Sequence, residues 1–168
     1  MLHTGYKGIT MLVDKNIADR FLAAYKELMQ ALNQGIEPDS MEKYAQLREQ
    51  IYYYRDNHPQ VYENALVPDW LAVIKQAVFG DFIYLKKYQK GYVFQHVNTG
   101  AFYQVQGLTT PLEESLPDYI VVKTALIPFE GYWLCDGLLN HKALIGKNMA
   151  KELRDAYAEA KKQKQVIG

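Results

Sequence analysis

Asp136 and His141 are the two residues whose types could together perform acid–base chemistry in this chain. A carboxylate and an imidazole can accept and deliver a proton when the fold brings them within hydrogen-bond distance. Asp136 precedes Gly137 near the end of an apolar stretch, and His141 follows shortly after it. No second carboxylate lies at a spacing that would indicate a catalytic or metal-binding pair with Asp136. The favoured interpretation is therefore a structural Asp136, which accepts hydrogen bonds from nearby backbone N–H groups or a tyrosine hydroxyl.

Cys135 is the only cysteine, which excludes an intrachain disulfide and fits a reducing compartment. On a regular strand it would face away from Asp136, so we interpret it as a small buried hydrophobe and not as a nucleophile. The four histidines are scattered without the spacing of zinc ligands. We predict no metal and no cofactor, and we assign no catalytic residue.

Lys147 and Asn148 open a helical segment after Gly146, and this arrangement could hold an anion. A helix N-terminus offers unpaired N–H groups and the positive end of its dipole, to which Lys147 would add a charge. Ordinary helix initiation, with Asn148 as the cap, explains the same residues without a ligand. The sequence contains neither a G-x-G-x-x-G motif nor a Walker loop.

Basic and aromatic residues alternate on one predicted hairpin, a pattern that single-strand nucleic-acid binding uses. The candidate surface consists of Tyr84, Lys86, Tyr88, Lys90 and Tyr92. Lysines on an edge strand also prevent edge-to-edge pairing. With 19 basic and 19 acidic residues the formal net charge is zero, which favours the protective role over nucleic-acid binding.

Residues 119–139 form the most apolar stretch and predict two strands joined by a tight turn at Glu130 and Gly131. The first of them, over residues 119–127, is nearly continuous in its apolarity, which predicts a central strand. Shorter strands are predicted over residues 82–88, 92–97 and 101–106. An irregular segment, residues 107–117, then precedes the long hairpin, and a connection of this length is often functional.

Helical spacing of apolar residues predicts a helix that begins after Asp14 and ends before Gly35, and a second that begins after Asp39 or Ser40. A third helix is predicted over residues 68–79, closed by Gly80. It is apolar on nearly every face, which predicts that it is the most buried helix.

A terminal helix is predicted to follow Gly146. Residues 8–13 suit a short strand or packed tail, and a brief helical turn is predicted near residues 61–65.

These elements predict an α+β fold. N-terminal helices precede a five-stranded antiparallel meander or small partly closed barrel, on which a C-terminal helix packs. We predict a helical part over residues 1–80 and a β part with the terminal helix over residues 81–168, joined as one continuous structure.

The run Thr124-Ala-Leu-Ile-Pro-Phe129, followed by Asp136-Gly-Leu-Leu139 and by Gly146 with an amphipathic helix, resembles a pattern in uncharacterised bacterial proteins. In those proteins a strand ending in Pro-Phe precedes a strand ending in Asp-Gly. The resemblance covers the last quarter to third of the chain. It implies a bacterial, cytoplasmic origin, and it carries over no activity and no catalytic residue.

Three classes of function follow in order of preference. A binding or interaction module comes first, because small tyrosine-rich β structures without a catalytic constellation commonly bind something. A single-stranded nucleic-acid-binding protein is second, and a small enzyme that uses Asp136 and His141 is third. A protein partner or a homo-oligomer remains open. No apolar run approaches the roughly 20 residues that cross a bilayer, and no signal peptide is evident, so we expect a cytoplasmic protein without membrane contact.

Overall fold

A computed structural model describes residues 11–62 and 68–168 of the chain. Its helices are α1 Lys15–Leu32, α2 Met41–Asn57, α3 Pro68–Gln76 and α4 Lys147–Lys162. Its strands are β1 Val78–Tyr88, β2 Gly91–His96, β3 Phe102–Val105, β4 Ile120–Phe129, β5 Tyr132–Cys135 and β6 Asn140–Leu144. Short 3-10 turns occur at Pro59–Tyr62 and Leu112–Glu114. The α+β prediction is confirmed.

The first two helices form where the apolar spacing predicts them. Asp14 occupies the N-cap position of α1. Ser40 caps α2, because its hydroxyl accepts a hydrogen bond from the N–H of Lys43. Two predictions fall partly outside the described residues. Of residues 8–13 the structure describes 11–13, where Leu12 forms a bridge with Gly107, and of the predicted turn at 61–65 only the part up to Tyr62 is described.

The prediction for the third helix is wrong in its length and its burial. The helix ends at Gln76, and Val78 and Phe79 begin β1, so Gly80 lies inside a strand. A short apolar run can form a helix or a strand. Here Phe79 pairs with Ala125 of β4, and this pairing stabilises the strand. Among the residues of α3 whose side chains are described, only Ile74 is fully buried. The helix with the larger buried face is α1.

The sheet is antiparallel, with the strand order β3-β2-β1-β4-β5. β4 is central, as predicted: β1 lines one edge, and β5 and β6 share the other. The sixth strand was not predicted, and the placement of His141 in a loop is wrong, since it lies on β6 opposite Val122. The sequence Asn-His-Lys-Ala-Leu lacks β-branched residues, so pairing with β4 is what makes it a strand.

The sheet curls until its two ends nearly meet. Gln106, just after β3, donates its N–H to the carbonyl of Trp133 and accepts from the N–H of Cys135, at 2.8 and 3.2 Å. Of the two predicted topologies, an antiparallel meander and a small partly closed barrel, the structure therefore has the second. Its interior is aromatic and includes Phe82, Tyr84, Tyr92, Phe94 and Tyr103.

The helices pack on two other surfaces of the sheet. α1 and α2 share a core with β4 and β5, in which Phe21 and Ile51 join Ile127 and Leu134. α4 covers the outside of β1 and β2, where Leu153 and Tyr157 pack with Leu85, Val93 and Phe102. The division of the chain at residue 80 stays a prediction.

Candidate functional site

Asp136 lies directly after β5, between the sheet and the two N-terminal helices. Its backbone N–H still bonds to the carbonyl of Ala125 at 3.1 Å, so the residue is held in register with β4. Gly137 then adopts φ +82°, a left-handed conformation that side chains rarely tolerate, and turns the chain away from the sheet. Asp136 is only 5% exposed as a result.

The carboxylate of Asp136 is saturated with hydrogen bonds. Tyr25 donates its hydroxyl at 2.9 Å, Thr124 its hydroxyl at 3.1 Å and Leu138 its N–H at 3.0 Å. Arg48 donates Nη1 to both oxygens, at 3.1 and 3.0 Å. The predicted bonds to a backbone N–H and a tyrosine hydroxyl are present. These bonds fill the acceptor sites of the carboxylate, so Asp136 has little capacity left to accept a hydrogen bond from a substrate.

Arg48 is the site residue that the sequence reading missed. It lies on α2, one residue after the buried Leu47, and its side chain is fully buried. Nη1 also bonds to the carbonyl of Leu138 at 2.8 Å, and the guanidinium lies 4.9 Å from the ring centre of Phe79. Nε and Nη2 have no hydrogen-bond partner among the described residues. A charged residue three positions before Ile51, on the apolar face of a helix, is the signal that could have found it.

Burial and neighbouring charges shift the pKa of three residues in this cluster, Arg48, Tyr25 and Tyr52. Burial lowers the pKa of Arg48, but the charge of Asp136 and the hydrogen bond to it outweigh burial, so the net pKa is raised. Burial, followed by the charge of Asp136, raises the pKa of Tyr25 well above its ordinary value and also raises that of Tyr52. The two hydroxyls lie 2.9 Å apart. The Arg48–Asp136 contact therefore lies beside two phenols that stay neutral at neutral pH.

A pocket of about 360 Å³ opens above this cluster, between α1, the start of α2 and the irregular segment after β3. Asp136 and Tyr25 lie at its inner end. Most of the lining is apolar, and Lys26, Tyr44, Thr109, Thr110 and Ser115 add polar groups. The apolar side chains are Leu22, Met29, Met41, Leu108, Leu112, Leu138 and Leu139.

The other candidate residues lie elsewhere. His141 is exposed on β6, and none of the hydrogen bonds of Asp136 within the described residues reaches it. Lys147 is the first residue of α4 and lines a separate hollow with Tyr119 and Arg154. Asn148 is not the cap, because Gly146 occupies the N-cap position and Asn148 lies inside the helix.

The lysine and tyrosine hairpin is not an open platform. Tyr84 and Tyr92 are fully buried inside the barrel, so these two rings do not present a face to solvent. Tyr88 packs against Tyr157 of α4, with ring centres 4.8 Å apart. Lys86 lies over the ring of Tyr88, and Lys90 is exposed in the turn.

Cys135 is fully buried, and burial raises the pKa of its thiol to about 12. Its Sγ lies 3.5 Å from the hydroxyl of Thr124, which also bonds to Asp136. Within residues 11–62 and 68–168, no group of His, Cys, Asp and Glu is arranged to hold a metal ion. No helix in the same ranges combines the length and apolarity needed to span a bilayer.

No family model, curated protein or solved structure matches the chain. The bacterial origin implied by the resemblance therefore stays a prediction.

Proposed function

We propose that this protein is a binding module that takes a small, largely apolar molecule into the pocket between α1, α2 and the segment after β3. The observation that supports this proposal is a largely apolar cavity of about 360 Å³ whose lining includes Asp136, a carboxylate already paired with Arg48. Small-molecule sites commonly have about 300–1,000 Å³, an apolar lining and a few fixed polar groups.

The segment after β3 supports the same proposal. Its residues Leu108, Thr109, Thr110, Leu112 and Ser115 form one wall of the pocket. A connection of about this length with little regular structure is often retained for function. Its regular structure is one short 3-10 turn, and Glu113 ties it to the side chains of Lys87 and Tyr92.

The ion pair gives the pocket a fixed shape. Arg48 comes from α2 and Asp136 from the end of β5, so their contact, with the Tyr25 bond from α1, ties three walls together. A site held in one geometry before binding loses less entropy when the ligand enters. The pair contributes rigidity and no proton transfer, because each charge is already compensated.

Nile red, a neutral apolar dye, tests the proposal. We expect saturable binding with one dye per protein, detected by fluorescence and by native mass spectrometry. Thr109→Trp places a large side chain at the exposed rim and should weaken binding about tenfold or more, equivalent to at least 1.4 kcal/mol. Val97→Trp adds the same side chain at a residue that is 48% exposed in the turn after β2, away from the pocket.

The control should bind the dye as the wild type does. Equal binding by the wild type, Thr109→Trp and Val97→Trp would show that the dye lies on another surface. No saturable binding by the wild type would also contradict the proposal.

A further inference from the structure

We infer that the pocket takes an amphiphile with a single carboxylate, whose apolar chain enters the cavity while Lys26 holds the carboxylate at the mouth. The inference rests on the proposed function and adds the chemical class of the ligand.

Charge is the first reason. Among the described residues that line the pocket, Lys26 and Asp136 are the only charged ones. Asp136 is neutralised by Arg48 at 3.0 Å, whereas Lys26 has no ion-pair partner in the described part of the chain. Its neighbours at i−4 and i+4 on α1 are Leu22 and Gln30, so the helix supplies no carboxylate. The pocket therefore carries one uncompensated positive charge, at its exposed end.

Hydrogen-bonding capacity is the second reason. Thr109, Thr110 and Ser115 line the pocket, and their hydroxyls form no hydrogen bond among the described residues. With the three N–H groups of Lys26 they offer unused donors. Asp136, the one carboxylate in the described part of the lining, already accepts hydrogen bonds from its own neighbours. A ligand that supplies acceptor oxygens and a negative charge fits this surplus of donors.

The same lining residues indicate which anion the ligand carries and how flexible its apolar part is. No arginine lines the pocket, so the bidentate fork that suits phosphate is absent, and a single ammonium matches a monoanion. Met29 and Met41 are flexible and adapt to irregular apolar shapes, which suits a flexible chain. Glu42 lines an adjoining hollow that shares Met41 and Leu139, and its charge disfavours a carboxylate at that end.

Competition for Nile red by octanoate and octanol tests the inference, because the two ligands share a chain and differ in the head group. The measured quantity is the ratio of their dissociation constants. In Lys26→Ala this ratio should shift about fivefold against octanoate at low salt. A change of this size corresponds to the strongest ion pairs measured between exposed side chains. Lys26→Arg should restore it, and added salt should reduce the wild-type preference. Lys151→Ala removes an exposed lysine of α4 and should leave the ratio unchanged.

Several outcomes would overturn the inference and leave the proposed function standing. They are an unchanged ratio in Lys26→Ala, displacement of the dye by octanol alone, or tighter binding of octyl phosphate than of octanoate. Failure of the proposed function would be seen separately, as the absence of pocket-dependent Nile red binding before any competitor is added. Lys26 is exposed, so the variants are expected to fold and none of these results is masked by unfolding.

Discussion

Replacing Asp136 with asparagine removes the counter-charge of Arg48 and keeps the shape of the side chain. The amide oxygen can still accept from Thr124 and from the N–H of Leu138, and Tyr25 can turn its hydroxyl to Tyr52. The main loss is therefore the ion pair.

The size of this loss follows from the burial of Arg48. Its side chain is 0% exposed, and among the described residues the polar contacts that remain without Asp136 are the carbonyl of Leu138 and the ring of Phe79. Breaking a fully buried pair by removing one partner costs about 3–5 kcal/mol, because the other charge is left without compensation. For a chain of this length we expect the melting temperature to fall by about 10 °C.

Urea unfolding followed by the fluorescence of Trp70 and Trp133 measures the change. The free energy of unfolding should fall at a nearly constant m value. Asp155→Asn, at an exposed position of α4, is the matched control and should stay within about 0.5 kcal/mol of the wild type. Combining Asp136→Asn with Arg48→Met should cost less than the sum of the single changes, because the double variant contains no unpaired buried charge. A single Asp136→Asn change that costs under about 1 kcal/mol would refute the reasoning.

Two further predictions concern pH and thiol chemistry. Burial raises the folded-state pKa of Tyr25 and Tyr52 above the unfolded value of about 10, so their contribution to stability is complete below that pH and is lost as the pH rises above it. The last part of the tyrosinate absorbance to appear in alkali should therefore coincide with the loss of circular dichroism, and full ionisation of every tyrosine in a still-folded protein would contradict this. Cys135 is buried with its pKa raised to about 12, so a disulfide reagent should label it only after urea unfolding, and rapid labelling of the native protein would contradict its burial.

The sequence predicts the elements whose local signals agree with the final contacts. The spacing on α1 and α2, the cap at Ser40 and the apolarity of β4 each indicate the structure found. The turn at Glu130 and Gly131 is also confirmed, since both residues adopt positive φ, as a two-residue hairpin turn requires.

The remaining features depend on contacts between distant residues. Phe79 follows a helical pattern yet joins a strand, because β4 is there to pair with it. The local sequence shows a charged Arg48 on an apolar helix face, but it does not show that Asp136 is the partner. The pocket needs three separated segments at once. Side-chain periodicity reports which face of an element is buried, and it does not report which segment covers that face.

The ion pair also has a consequence for the protein during its synthesis. Arg48 and Asp136 are 88 residues apart. At about 5–20 residues per second, the ribosome needs roughly 4–18 s to add the second after the first. Throughout that interval the nascent helical hairpin has neither its counter-charge nor the strands that cover its apolar face. Nascent chains of this protein should therefore depend on chaperone protection until β5 has left the exit tunnel.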